Sequence, residues 1–310
     1  MIDITLEKNP ELYVDYLKGL EFLSKIKNED YEYPEEKVNF HIYTEVNNDK
    51  QLECVKSFIA TQNLEKTKLI IWSDYDIQDN ELIKPYKDLV DLRVYDAKKE
   101  AKGTPLENHP VWINSDISDT KHYMKSGILR FLVTHKYGGV WADMDMIFLR
   151  DFKPILDQEW AYMWGSERDF FKFGPCAAMM SFKKNSHHST RCLKEICSTP
   201  LVKDSTILDH MLLAKVYSKQ PFTVFPSTFF NTEWLINQTA LTRNDKKYSD
   251  FRTLIGHGFS KIETNEDFLF LDAFAWHWHN SSNKDRKIEK GSKFDLLRDR
   301  TNKLLKEKGL

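Results

Sequence analysis

Apolar positions along the chain follow two distinct periods. Near the start, Leu12, Tyr16, Leu17, Leu20 and Leu23 recur at helical spacing, so residues 1–37 read as a helical segment. Pro34 punctuates an acidic stretch, after which Val38 to Tyr43 alternates as a half-buried strand does. Leu52 to Ile59 has the helical period again. Lys68 to Trp72 is a short apolar strand running into Ser73-Asp74-Tyr75-Asp76, and Leu92 to Tyr95 is a further strand. Strand, helix and strand at this spacing predict a parallel sheet with crossover helices. Sheets of that kind bind ligands beyond the carboxyl ends of their strands, here the loops after Tyr43 and Trp72.

Residues 97–115 are polar and broken by Gly103, Pro105 and Pro110, which predicts a loop; its Trp112 reads as half-buried packing rather than a ligand cover. Ser118 to Lys136 is the clearest helix. Ser118 caps it, Met124, Ile128, Leu129, Phe131 and Leu132 share one face, and Gly138-Gly139 ends it. The run VWADMDMIFLRDF follows, with apolar residues on both sides of Asp143-Met144-Asp145. Beyond Pro154 a strand is expected at Ala177 to Phe182, and helices at His188 to Cys197 and Ile207 to Tyr217. Pro221 to Trp234 is aromatic and turn-rich, Lys246 to Phe259 polar and loop-like, and Leu269 to Trp278 strongly apolar.

The stretch from Lys284 to Leu310 holds ten Lys or Arg against five Asp or Glu, with Phe294, Leu297, Thr301, Leu304 and Leu305 as an amphipathic stripe. A helix packed on the preceding domain is the expectation. Weak contact with an anionic membrane surface is the alternative. With no internal repeat and no low-complexity linker, one elaborated domain is the simplest organisation.

Composition narrows the class. A hydrophobic share of 41% with 30% charged residues excludes both a membrane bundle and a disordered chain. A formal charge of −2 offers no field for nucleic acid. Aromatic residues at 13%, eight of them Trp, suit a cleft that contacts sugars, though Trp also fills cores. Cys54, Cys176, Cys192 and Cys197 form no Cys-x-x-Cys pair and read as reduced thiols. The opening residues lack a signal-peptide pattern, and no stretch nears the ~20 apolar residues of a spanning helix. The expected location is cytoplasmic, at most peripheral to a membrane.

Asp143 and Asp145, one residue apart at the end of a short apolar strand, are expected to point the same way because strand side chains alternate. Two adjacent carboxylates repel unless a cation sits between them, and a hard divalent ion such as Mn²⁺ or Mg²⁺ takes oxygen ligands and substrate phosphates. An isolated Asp-x-Asp is more often a solvated turn.

The surroundings change that balance. The string KSGILRFLVTHKYGGVWADMDMIFLRDF resembles the sugar-binding DXD region of glycosyltransferase family 32 and its relatives. These relatives include the α-1,4-galactosyltransferases, the initiating α-1,6-mannosyltransferases and the glucosylating clostridial toxins. Ser126, Arg130, Lys136-Tyr137-Gly138-Gly139, Asp143 and Asp145 match the pattern, and residues 38–76 resemble the family's first strand, helix and second strand. His277-Trp278-His279-Asn280 is similar to the family's His-x-Trp-Asn stretch.

The resemblance extends over about half the chain and implies an α/β GT-A fold, Rossmann-like, with a mostly parallel central sheet flanked by helices. Residues 38–283 would form the catalytic domain, with the 1–37 segment before it and the 284–310 helix after it. It further implies a metal-dependent, retaining glycosyltransferase that uses a nucleoside-diphosphate sugar, a UDP-sugar favoured over a GDP-sugar, and a glycan or glycolipid acceptor. Asp145 would ligate Mn²⁺ or Mg²⁺ directly; Asp143 would reach the metal through water, or the ribose and sugar hydroxyls. Arg130 would contact the donor sugar or phosphate. His277, His279 or Asn280 would supply a third ligand or a diphosphate contact. One departure stands out: the family's Asp three residues before the Arg is Gly127 here, so the donor pocket is built differently.

Other candidates come from the residues themselves. Trp72 sits where a strand end meets a nucleotide and is a candidate for base stacking, with Thr44 for a base hydrogen bond. Asp209, in TILDHMLL, is the candidate carboxylate near the anomeric carbon, with Glu167 and Asp169 as competitors. His187 and His188 read as surface residues. The rivals are a haloacid-dehalogenase-type phosphatase, which also uses Asp-x-Asp but with Thr or Val following, and a non-catalytic nucleotide-sugar or carbohydrate binding module.

Overall fold

Four strands carry the site and run parallel to one another: β1 (Val38–Tyr43), β2 (Thr67–Ser73), β3 (Asp91–Val94) and β4 (Gly139–Ala142). In the computed structural model, which describes residues 2–109, 122–164, 174–198, 208–242, 250–261 and 269–310, they form one side of a seven-stranded sheet. With β6 (Trp160–Met163), β7 (Pro175–Phe182) and β8 (Thr223–Phe225), the order is β3-β2-β1-β4-β7-β6-β8. β7 is antiparallel to both neighbours and β8 is parallel to β6. A separate two-stranded antiparallel ribbon joins β5 (Met146–Phe148) to β9 (Ala275–His277). The architecture is the mostly parallel α/β sheet flanked by helices that the alternating pattern predicts.

Alternation along β1, β2 and β4 sorts side chains to two cores. Phe40, Ile42, Leu69, Ile71, Val140 and Ala142 pack with Val55, Phe58 and Ile59 of the helix Asp49–Thr61. Tyr43, Ile70, Trp72 and Trp141 pack with Ile128, Leu129 and Leu132 of the helix His122–Tyr137. That second helix ends where Gly138 and Gly139 take φ of 70° and 105°. A Cβ on Gly139 would lie 2.0 Å from the Asn39 carbonyl oxygen, so only glycine lets β4 enter beside β1.

Several segments differ from the sequence expectation. Within residues 2–37 only Tyr16–Ser24 is α-helical, capped by Asp15, with single 3₁₀ turns at Pro10–Tyr13 and Asn28–Asp30. The polar stretch expected to be a loop contains a helix, Phe251–Gly256, because Asp250 caps it. Strands β6 and β8 carry no local sequence signal. They are short and largely buried, so no polar residue alternates to mark them. His188 is half-buried rather than superficial, with Nδ1 2.6 Å from Glu159 Oε2. Trp112, Ser118, Glu167 and Asp169 lie outside the described residues.

The C-terminal helix Lys293–Glu307 buries Phe294, Leu297, Thr301 and Leu305 beside the helix Asp49–Thr61. Lys308 Nζ donates to the carbonyls of Ile59 and Gln62 at 2.9 and 3.0 Å. The apolar stripe is thus used internally, and the helix presents mainly charge outward. The four cysteines are free thiols. Among the described residues no helix is long and apolar enough to cross a membrane.

Candidate active site

β4 ends at Ala142, and the chain then turns. The Met146 N–H donates to the Asp143 carbonyl at 3.2 Å, enclosing Asp143-Met144-Asp145. Strand alternation therefore does not align the two aspartates; a tight turn between β4 and β5 does. The turn is pinned at both ends. The Asp143 N–H donates to the Ala178 carbonyl of β7 at 2.7 Å, and the Asp145 carbonyl accepts from the Trp278 N–H at 3.0 Å.

Each aspartate faces its own set of partners. Asp143 Oδ1 accepts from Trp141 Nε1 at 2.8 Å and lies 3.2 Å from an Arg130 Nη. The Arg130 guanidinium stacks over the Trp141 ring at 5.5 Å and is braced by Ser126, whose carbonyl and hydroxyl oxygens are each 3.4 Å away. Asp145 Oδ2 accepts the Asn280 backbone N–H at 2.7 Å, while Oδ1 lies 3.2 Å from His277 Nε2. His277 stacks on His279 with ring centroids 3.8 Å apart. His279 reverses the chain at φ 56° and sets its Nε2 3.1 Å from the Asn231 side-chain amide.

These surroundings separate the two carboxylates electrostatically. Burial pushes Asp143 up to about 6, with Arg130 opposing and the Asp145 charge assisting. Burial also acts against Asp145, but His277 and the Asn280 N–H outweigh it and hold Asp145 well below the usual carboxylate range. His277 is raised: burial disfavours its charge, yet Asp145 favours it more strongly. His279 is driven well below the usual imidazole range by burial and by His277 beside it. The result is an ionised Asp145 facing a buried imidazole.

Oxygen and imidazole donors of this kind suit a hard divalent cation, and His277 Nδ1 is buried without a partner. Among the described residues, however, no three His, Cys, Asp or Glu side chains are already gathered as a ligand group. Asp145 and His277 are the residues that fit such an ion, with Asp143 alongside. His279 is turned toward Asn231 and backs His277 rather than facing Asp145. Asn280 serves through its main-chain N–H.

Two residues expected at the nucleotide are placed in the scaffold. Trp72 is 1% exposed, under the Arg93 guanidinium, and its Nε1 donates to His41 Nδ1 at 3.2 Å. Since Nδ1 accepts, the other ring nitrogen of His41 carries the proton and donates to the Gly138 carbonyl at 3.0 Å. Thr44 is equally buried; its Oγ1 accepts from the Val46 N–H at 3.1 Å. Asp209 stands in the first turn of the helix Leu208–Lys219, and its side chain lies outside the described residues.

The turn after β2, where Trp72-Ser73-Asp74 is expected to meet a nucleotide, contributes a further cluster. Beyond β1 and β2, Asp74 accepts from the Tyr43 hydroxyl at 2.7 Å and from Lys125 Nζ at 2.8 and 2.7 Å. The polar run directly after β2 was the available signal for Asp74. Asn231 and Glu233 support β9 and the residues after it; their only signal was polarity inside the aromatic run FFNTEW.

A mostly parallel α/β sheet whose central strand delivers an Asp-x-Asp turn to its carboxyl end, flanked by an arginine and a histidine, is the arrangement of the GT-A fold. Residues 48–162 of the 310, over a third of the chain, match the family described as "Glycosyltransferase sugar-binding region containing DXD motif". Such enzymes generally use a divalent metal and a nucleotide-sugar donor. The match favours the glycosyltransferase reading of the motif over the phosphatase and binding-module readings.

Solved structures agree on the fold. The glycosyltransferase GlyE of Streptococcus pneumoniae aligns with a TM-score of 0.53 at 11% identity, over 88% of this chain and 63% of that one. Its apo form aligns with a TM-score of 0.51. The apo structure of the bifunctional glycosyltransferase WbbM gives 0.50 at 12% identity, over 88% of this chain and 52% of that one. This chain therefore spans less than two thirds of either relative's length, and the likeness is one of fold. None of the curated proteins matches the sequence.

Proposed function

We propose that the enzyme moves a sugar from a nucleoside-diphosphate sugar, with UDP-sugars favoured, to a hydroxyl of a glycan or glycolipid acceptor. The reaction depends on Mn²⁺ or Mg²⁺ and retains the donor's anomeric configuration. The observation that carries this reading is the half-buried Asp145 carboxylate set 3.2 Å from His277 in a turn at the carboxyl end of the sheet.

In this reading Asp145 and His277 would hold the cation, and Asp143 would contact it through water or bind the ribose and sugar hydroxyls. The bound ion supplies Lewis-acid stabilisation of charge on the departing diphosphate. Arg130 presents a planar fork, fixed by Ser126 and Trp141, to donor sugar or phosphate oxygens. Asp74, Tyr43 and Lys125 line the nucleoside end, beyond β1 and β2. Asp209 is the carboxylate proposed near the anomeric carbon. Asp209→Asn distinguishes retention through a covalent glycosyl intermediate, which that change abolishes, from front-face attack, which it weakens.

The test is nucleoside-diphosphate release from a panel of UDP- and GDP-sugars, with Mn²⁺ or with EDTA. Metal-dependent release from one donor, lost in Asp145→Ala, is the expected result. Metal-independent release from a donor would remove the cation from the reading. Absence of both release and metal-assisted nucleotide binding would overturn the reading as a whole.

A further inference from the structure

The buried ion pair that joins the C-terminal helix to the site has no role in the reading above. Lys293 Nζ lies 2.7 Å from Glu233 Oε1, with both side chains under 5% exposed. Trp276 Nε1 donates to the same oxygen at 2.8 Å. Lys293 also sits over the rings of Phe270 and Trp276 at 4.4 and 4.6 Å. Glu233 thereby ties three segments together: the helix Thr232–Thr242, strand β9 and the C-terminal helix.

A fully buried ion pair is a poor device for stability alone, because desolvating two charges offsets most of their attraction. What this pair achieves is placement. Both donors converge on Oε1, and Oε2 is left buried with no partner. The residue after Trp276 is His277, whose Nδ1 is likewise buried with no partner. On either side of Glu233, Asn231 bonds His279 and Trp234 stands edge-on to the His279 ring, with centroids 6.1 Å apart.

We propose that Glu233, fixed by Lys293 and Trp276, is a positioning residue that accepts the Nδ1–H of His277 on its unused oxygen through one bridging water, and so aims Nε2 at the cation shared with Asp145. The proposal rests on the metal reading above. Imidazoles that bind metals through one nitrogen are commonly held by a carboxylate on the other, and losing such a partner typically weakens metal binding about 10–100-fold.

Glu233→Gln separates the roles, since the amide oxygen can still accept from Trp276 while the amide nitrogen cannot accept from the water that bridges to His277. The double variant Glu233→Gln with Lys293→Met removes both charges and leaves no buried unpaired ammonium. Mn²⁺ affinity is read by titration calorimetry in the presence of UDP, and thermal stability is read alongside. The expected result is Mn²⁺ binding about 10–100-fold weaker in both variants, with unfolding of the double variant returning close to wild type. If affinity and stability recover together in the double variant, the pair is only structural and the proposal falls. It falls equally if Glu233→Gln binds Mn²⁺ as the wild type does. A wild type that binds no divalent cation overturns the metal reading itself, which is a different failure.

Discussion

His277, the last residue of β9, and Asp145, which immediately precedes β5, meet at 3.2 Å across a two-stranded ribbon outside the main sheet. The register of β5 against β9 pairs Met146 with His277, so Asp145, one residue before β5, falls at the imidazole. A one-residue slip of this ribbon would turn the imidazole to the other face. The ribbon therefore acts as the device that brings the end of the catalytic chain to the Asp-x-Asp turn.

Asp145→Asn should lower donor turnover by at least about 100-fold, the scale of several kcal/mol of lost charge stabilisation. The asparagine still accepts the Asn280 N–H, so its unfolding temperature should stay near that of the wild type. Donor release in saturating Mn²⁺, measured beside a melting curve, checks both parts. Retained turnover would place the catalytic charge elsewhere.

Arg130→Lys keeps the positive charge but loses the planar fork and the stack over Trp141. Turnover should fall about 10-fold or more, and further in Arg130→Ala, if the fork rather than the charge is recognised. Equal activity of Lys and Arg at this position would show that Arg130 serves only as a counter-charge to Asp143.

Trp72→Phe removes the indole N–H that His41 accepts while keeping a ring beneath Arg93. The donor KM should be unchanged and stability should drop by about 1–3 kcal/mol, the cost of leaving a buried acceptor unsatisfied. A raised KM with unchanged stability would instead return Trp72 to the nucleotide.

What was legible in the residues follows from how far a pattern must reach. β1, β2 and the helix through Arg130 announce themselves because period and punctuation are local, and the Asp-x-Asp string lies within one short stretch. Strands such as β6 and β8 do not, being short and buried without alternation. The site's support is harder still. Asp145 meets Asn280 across 135 positions and Trp276 meets Glu233 across 43, separations at which no spacing rule applies. Nor does a strand-end motif state which way its Trp faces, and Trp72 faces inward.

Glu53 gives the pH prediction. It lies on the helix Asp49–Thr61 beneath the C-terminal helix, 1% exposed, with Oε1 unpartnered and Oε2 3.6 Å from Lys56 Nζ. Burial, against the pull of Lys56, raises its carboxyl from the ordinary 4.5 to about 7. Between those two values the folded chain keeps a proton that the unfolded chain has released. Stability from this group is thus full below pH 4.5, declines as pH rises, and is lost above about 7. The loss is of order 3 kcal/mol at most. Glu53→Gln carries no such proton and should remove this part of the slope. Its melting temperature should exceed the wild type's by about 5 °C at pH 8 and match it near pH 5. An offset that is the same at both pH values would mean that Glu53 does not titrate in this range, and that Lys56 and Thr301 hold it ionised beneath the C-terminal helix.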